Sequence, residues 1–182
     1  MPRLPGSERL MSTLVPLLIA VGVGLGSSAQ IALIGGMART RSAPEATFTS
    51  MMATLAGIGL VLAIRGLRGD APQFFAPLDR GVAFLLIAVI ALVLLALSMK
   101  GVPLGYAITG IFATAFLLGT AALVPRLGVA LFFAATTAGS LIGALVFDQV
   151  GAFGAEPTHL GPLRIIGVLA VFAGMMLVRS GR

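Results

Sequence analysis

Charged residues punctuate this chain at intervals that match the thickness of a bilayer. Residues 10–38 give 29 uncharged positions between Arg9 and Arg39; 46–64 and 81–99 give 19 each, 101–125 give 25 and 127–147 give 21. A helix needs about 20 apolar residues to cross roughly 30 Å of hydrocarbon, so each interval reads as a span. A sixth, 165–178, has 14 uncharged residues between Arg164 and Arg179, and a full crossing there draws one of those arginines into the span. Barrel strands, the other structure that satisfies its backbone in lipid, alternate apolar and polar residues over about ten positions. Segments such as VAFLLIAVIALVLLALS at 82–98 are apolar on every side, which predicts helices. The expected fold is all-α, a polytopic transmembrane helical bundle of six spans in a single transmembrane domain over 1–182. The spans fall at approximately 11–36, 46–65, 81–99, 102–124, 127–148 and 161–180. The 66–80 connection, with Arg68, Asp70, Phe74, Phe75 and Asp79, fits either an interfacial segment or a plain loop.

Composition points the same way. Of 182 residues, 58% are apolar and 10% charged, against about 45–50% and about 25% in an ordinary soluble domain. A globule of this length hides only about 70% of its chain's surface, too little to keep so much apolar area from water. There is no Cys, which excludes a disulfide scaffold and thiolate metal sites. The net charge of +6 comes from basic residues scattered singly between apolar runs; no basic stripe suits nucleic acid, and the excess reads as topology. Arg3, Arg9, Arg65, Arg68, Arg80, Arg126, Arg179 and Arg182 fall on one side of a six-span chain, Arg39, Arg41, Lys100 and Arg164 on the other. Eight against four places both termini in the cytoplasm. A cleaved signal is the weaker reading of the first span, since 29 uncharged residues exceed a signal core of 7–15 and no small-residue cleavage site closes it.

Helices in lipid associate through small residues and a few hydrogen bonds. The first span carries Ala20, Gly24, Ser28, Ala32 and Gly36 at four-residue spacing, the fifth Ala135, Gly139 and Gly143, the sixth Gly167, Ala170 and Gly174. Each lines one helix face with small side chains, so Ala20, Gly24, Ser28, Gly139, Gly143, Gly167 and Gly174 are the candidate packing residues. The 81–99 span, with Ser98 its one polar residue, reads as peripheral. Gly22, Gly24 and Gly26 do not make a dinucleotide loop, because no strand precedes them and position 27 is Ser.

Polar groups inside a membrane are functional candidates by default, and few are present. Gln30, Tyr106 and Ser140 are the candidates for a substrate path; for Gln30 the competing role is an interhelical hydrogen bond, for Tyr106 an interface anchor. Asp148 ends the fifth span and Arg164 starts the sixth, so the two can meet, either as a structural ion pair clamping the 149–163 connection or as a gate. One His, with no carboxylate cluster, makes no metal site. No G-x-S-x-G elbow or His-Asp partner set is present, so no catalytic residue, metal or cofactor is expected.

The stretch from Gly24 to Gly66, the segment VPLGYAITGIFATAFLLGTAALVPRLGVALFF, and GSLIGALVFDQVGAFG followed by LRIIGVLAVFAGMMLV resemble the YdcZ-type family of the drug/metabolite transporter superfamily, whose members are EamA-like and small-multidrug-resistance-like. Pro125, Arg126, Leu127 and Gly128, the run from Asp148 to Gly154, and Arg164 with Gly167 carry it most specifically. The resemblance implies a multi-pass protein of the bacterial inner membrane, a half-size relative of ten-span exporters. It implies a homodimer, or a heterodimer, whose helices line a central path for a small organic metabolite moved by alternating access. Ile34 stands where the family has Asn, Ser140 where it has Gln, and Leu104 and Gly105 where it has paired Trp, while 81–99 reads as an addition to a five-helix pattern. The implied partners are membrane lipid, a small-molecule substrate and a second copy. The alternative is a non-transporting membrane subunit or assembly protein, which the scarcity of polar groups favours.

Overall fold

The computed structural model describes residues 6–70, 72–159 and 161–180, with side chains from Leu14 onward in the first helix. Arg3 and Arg182 lie outside the described residues, as does the side chain of Arg9. The elements are α1 (Gly6–Thr40), α2 (Ala43–Leu67), α3 (Gly81–Ser98), a 3-10 turn at Leu104–Ile108, α4 (Thr109–Leu127), α5 (Val129–Val150), a second 3-10 turn at Ala152–Gly154, and α6 (Pro162–Ser180). Six helices are long and apolar enough to cross a membrane, and there is no strand among the described residues. The chain is an all-α, six-span membrane protein.

Local chemistry sets where each helix begins and ends. Ser42 caps α2: its Oγ accepts from Glu45 N–H at 3.4 Å, and the Glu45 carboxylate accepts from Ser42 N–H at 3.0 Å, a reciprocal capping box that satisfies two end donors. Pro103 precedes the first 3-10 turn, and α4 proper starts only at Thr109. Gly128, at φ +77°, separates α4 from α5 with a single residue, a backbone conformation open to glycine at little cost. Arg39 and Arg65 sit in the last turns of α1 and α2, so those helices run past their uncharged stretches.

The chain forms two compact units, 1–32 with 115–182 and 33–114. In the 33–114 unit α2 packs on α3 so closely that a Cβ at Gly66 would lie 2.6 Å from Gly81 Cα, and one at Gly59 would lie 3.2 Å from Ala88 Cβ. Ser50 and Thr109 hydroxyls share a buried hydrogen bond of 3.2 Å, and Ala53, Leu95 and Met99 form the unit's small core against Tyr106. In the other unit Leu17, Ala20, Leu123, Leu127, Leu131, Phe132, Ala135, Ala138 and Met175 form the core. Lipid supplies no hydrophobic drive between helices, so close backbone approach takes its place: α5 lies against α1 with no room for side chains at the crossing. Gly24 faces the backbone of Thr136, Gly139 that of Val21, and Gly143 the side chain of Ser28.

Candidate functional site

The crossing of α1 and α5 leaves a cavity of about 410 Å³ within the 1–32 and 115–182 unit. Its walls come from Ser27, Ser28, Ile31 and Ala32 of α1, Phe116 of α4, and one face of α5 from Phe132 to Asp148. Residues 133, 137, 140, 144 and 147 follow the three- and four-residue spacing of a single helical stripe. Helix α5 has 22 residues, about 33 Å at 1.5 Å per residue, and Ser140 is the twelfth from Val129. The cavity therefore reaches half-way along a helix long enough to span the bilayer.

Its polar lining is the hydroxyls of Ser27, Ser28, Thr136, Thr137 and Ser140 and the carboxylate of Asp148, and three of the hydroxyls have a defined hydrogen-bond state. Ser140 Oγ donates to Gly24 carbonyl at 3.0 Å, across the helix crossing. Ser28 Oγ donates to Leu25 carbonyl at 2.7 Å, and Thr136 Oγ1 shares its proton between the carbonyls of Phe132 and Phe133, both at 3.0 Å. Both Ser28 and Thr136 are buried. No buried side-chain polar atom among the described residues lacks a hydrogen-bond partner.

At the end of the α5 stripe Asp148 Oδ2 accepts from Arg164 Nη1 at 3.3 Å. Asp148 also lines a second cavity of about 380 Å³ together with Arg164 and Gly167. Its position is fixed by backbone: Thr158 N–H donates to Asp148 carbonyl at 2.8 Å, folding the following loop back onto the helix end. Gly151 at φ +61° and Phe153 at φ +57° turn the chain there, and the Phe153 ring rests 6.0 Å from Phe147. The ion pair is single-pronged, and its partners are 43% and 51% exposed. Exposed pairs of this kind contribute about 0–1 kcal/mol. Asp148→Asn is accordingly expected to move the melting temperature by no more than about 2–3 °C; a fall above 8 °C in detergent would show that the pair clamps the fold.

Of the path candidates, Ser140 lines this cavity. Gln30 sits half-buried on α1 outside the lining, between Ala29 and Ile31, and Tyr106 is half-buried in the 33–114 unit against Ala53, Leu95 and Met99. The aromatic wall of Phe116, Phe132, Phe133 and Phe147 was not singled out from sequence; its signal is the recurrence of Phe on the same α5 stripe as Thr137 and Ser140.

Residues 77–177, from just before α3 to near the end of α6, match the family model described as "Putative inner membrane exporter, YdcZ". The match takes in α3, which the sequence resemblance set apart as an addition, and leaves out α1 and α2; a helix that is almost wholly aliphatic carries few residues distinctive enough to assign it. Ser140, Asp148 and Arg164 lie inside the matched stretch and Gln30 outside it. No curated protein and no solved structure matches the chain. With more than half its length inside that model and six helices able to cross a bilayer, the chain belongs to the YdcZ family of the drug/metabolite transporter superfamily, a family of multi-pass inner-membrane exporters and not of enzymes.

Proposed function

We propose that the chain exports a small organic metabolite by alternating access, as a dimer with both termini in the cytosol, and that the α1–α5 cavity forms part of the substrate path. The observation that carries this reading is the cavity's depth: a space of about 410 Å³ lined by hydroxyls half-way along a spanning helix. That volume lies within the range of about 300–1,000 Å³ that small-molecule sites occupy. A solid bundle with its polar groups packed away would favour an assembly subunit instead. Support for a second copy comes from α6, whose one buried residue is Met175 and where nothing lies within 4 Å of a Cβ built on Gly167 or Gly174.

The absence of native Cys makes a direct test simple. Thr137→Cys, half-buried on the cavity face, is expected to react with a membrane-impermeant maleimide applied to right-side-out vesicles and, separately, to inverted ones. Reaction from one side alone would reject alternating access at this cavity. In the same background Gly174→Cys is expected to form disulfide-linked dimers under mild oxidation. A strictly monomeric product would remove the dimer from the proposal.

A further inference from the structure

We infer that the loop joining α2 to α3 is a membrane-interface anchor, with the Phe75 ring seated among the glycerol and upper acyl groups of the lipid. The anchor is independent of the transport cycle proposed above and holds equally for a subunit that moves nothing. Helices α2 and α3 already touch at Gly66 and Gly81, and neighbouring helices of a bundle are joined by roughly 2–8 residues. Here 13 residues, 68–80, make the join, so the length of the loop serves more than closure. Phe74, Phe75 and Leu78 are all exposed on it, and Phe75, at 96%, is the most exposed large hydrophobic among the described residues.

The depth of this loop follows from α3. That helix has 18 residues, about 27 Å at 1.5 Å per residue, just short of the roughly 30 Å of hydrocarbon it crosses. Gly81 therefore lies at the hydrocarbon edge, and the next 5–7 Å or so is headgroup and glycerol. The loop folds back against this end of the hairpin. A Cβ on Gly66 would lie 3.5 Å from Pro72 Cδ, and the Phe74 ring sits 5.8 Å from that of Phe84, a buried residue in the first turn of α3. Helical side chains lean toward the N-terminus, so the Phe84 ring is level with the start of α3 and holds Phe74 in the same layer. Phe75 follows directly, fixed in a turn by Leu78 N–H donating to its carbonyl at 2.9 Å, and points away from protein. Beyond it the outer stripe of α3, with Val82, Leu86, Val89, Ile90 and Val93, is exposed and covered by lipid.

Charge at the same level suits phosphate. Arg65 Nε donates to the Asp70 carboxylate at 2.8 Å, which cancels that pair. Arg68 and Arg80 are exposed and make no ion pair among the described residues, with Asp79 the one acid beside them. Guanidiniums at headgroup level flanking aromatic and aliphatic side chains are the pattern of segments that lie in the interface.

The chain has no Trp, so Phe75→Trp supplies a single fluorescent reporter at a position where no packing contact is lost. His159→Trp is the control: His159 is exposed in the α5–α6 connection between the polar Thr158 and the start of α6, and it carries the same indole, with the same liking for interfaces. Each full-length variant is reconstituted in phosphatidylcholine vesicles. Aqueous acrylamide is expected to quench Trp at 75 about threefold less than Trp at 159, and lipid brominated high on its acyl chains is expected to quench it more than lipid brominated near the chain ends. Leu78→Trp, in the same turn, is expected to show the same order, which keeps the test open if one variant fails to fold. Equal acrylamide quenching at 75 and 159 would make the segment a plain loop in water. Protection from acrylamide without quenching by either bromolipid would mean that protein, such as a second copy, covers Phe75. Strongest quenching from the chain ends would place the ring in the hydrocarbon centre. Each of these three results overturns the anchor, and none bears on the labelling of Thr137→Cys, so the two proposals fail separately.

Discussion

Gly139→Ala is expected to cost the protein about 1–3 kcal/mol, the range for forcing a methyl into a packed interface, and to lower its melting temperature by several degrees. The added Cβ would fall 2.9 Å from Val21 carbonyl carbon, nearer still to its oxygen, and 3.1 Å from Leu25 N. These are backbone atoms of a helix, which cannot turn aside as a flexible side chain does. Helices α1 and α5 would have to separate, and the Ser140 Oγ–Gly24 carbonyl bond of 3.0 Å, which depends on that approach, would lengthen or break. Gly22→Ala is the control. Gly22 lies on the exposed side of α1 with nothing within 4 Å of its Cβ, and alanine in a helix is favoured over glycine by about 0.5–1 kcal/mol. The pair should therefore shift the melting temperature in opposite directions, read by fluorescence-detected unfolding in detergent. Similar effects for both would mean that the α1–α5 crossing is looser than its geometry.

This contrast marks how much of the architecture the amino-acid order carries. Six spans are legible because a charge inside hydrocarbon is expensive: Arg9, Arg39, Glu45, Arg65, Arg80, Lys100, Arg126, Asp148, Arg164 and Arg179 bracket the uncharged stretches. Helix ends are less legible, since Arg39 and Arg65 can extend their charged heads from the last turn while the helix continues beneath them. Small-residue spacing identifies faces that can be approached, but not what approaches them. The Gly24 and Gly139 faces meet each other's helices, while the Gly167 and Gly174 face of α6 is open within the chain. All have the same four- or seven-residue rhythm.

The site follows a similar rule. Hydroxyls and charged groups stand out in an apolar sequence, so Ser140, Asp148 and Arg164 can be listed without coordinates. The role of a serine in a cavity depends on where its proton goes, and Ser140 donates to a carbonyl 116 positions away. Such a bond leaves no trace in local spacing. The Phe wall is hidden for the opposite reason: in a membrane chain an aromatic stripe is indistinguishable by composition from a lipid-facing one, and only the approach of α1 to α5 turns part of it inward.

Arg41 shows how a residue that reads as a topology marker also holds structure. It follows α1 in the short link before α2, and its guanidinium donates to Ser98 carbonyl at 2.6 Å and to Lys100 carbonyl. Ser98 is the last residue of α3, where the final carbonyls of a helix have no partner within it and the helix dipole favours a positive charge, and Lys100 lies two residues beyond in the turn that follows. One side chain thus ties the α1–α2 link to the end of α3 inside the 33–114 unit, over sequence separations of 57 and 59 residues. Hydrogen bonds to a charged group contribute about 1.5–3 kcal/mol when shielded, and the partial exposure of Arg41 brings the expected loss for Arg41→Ala to about 1–2 kcal/mol. Arg41→Lys should recover less than half of it, because an ammonium is a point donor and cannot span two carbonyls as the planar guanidinium does. Hydrogen–deuterium exchange should quicken at residues 97–103 and remain unchanged across α5. If exchange there and the melting temperature both match the unaltered protein, Arg41 acts on topology alone and the clamp contributes nothing to stability.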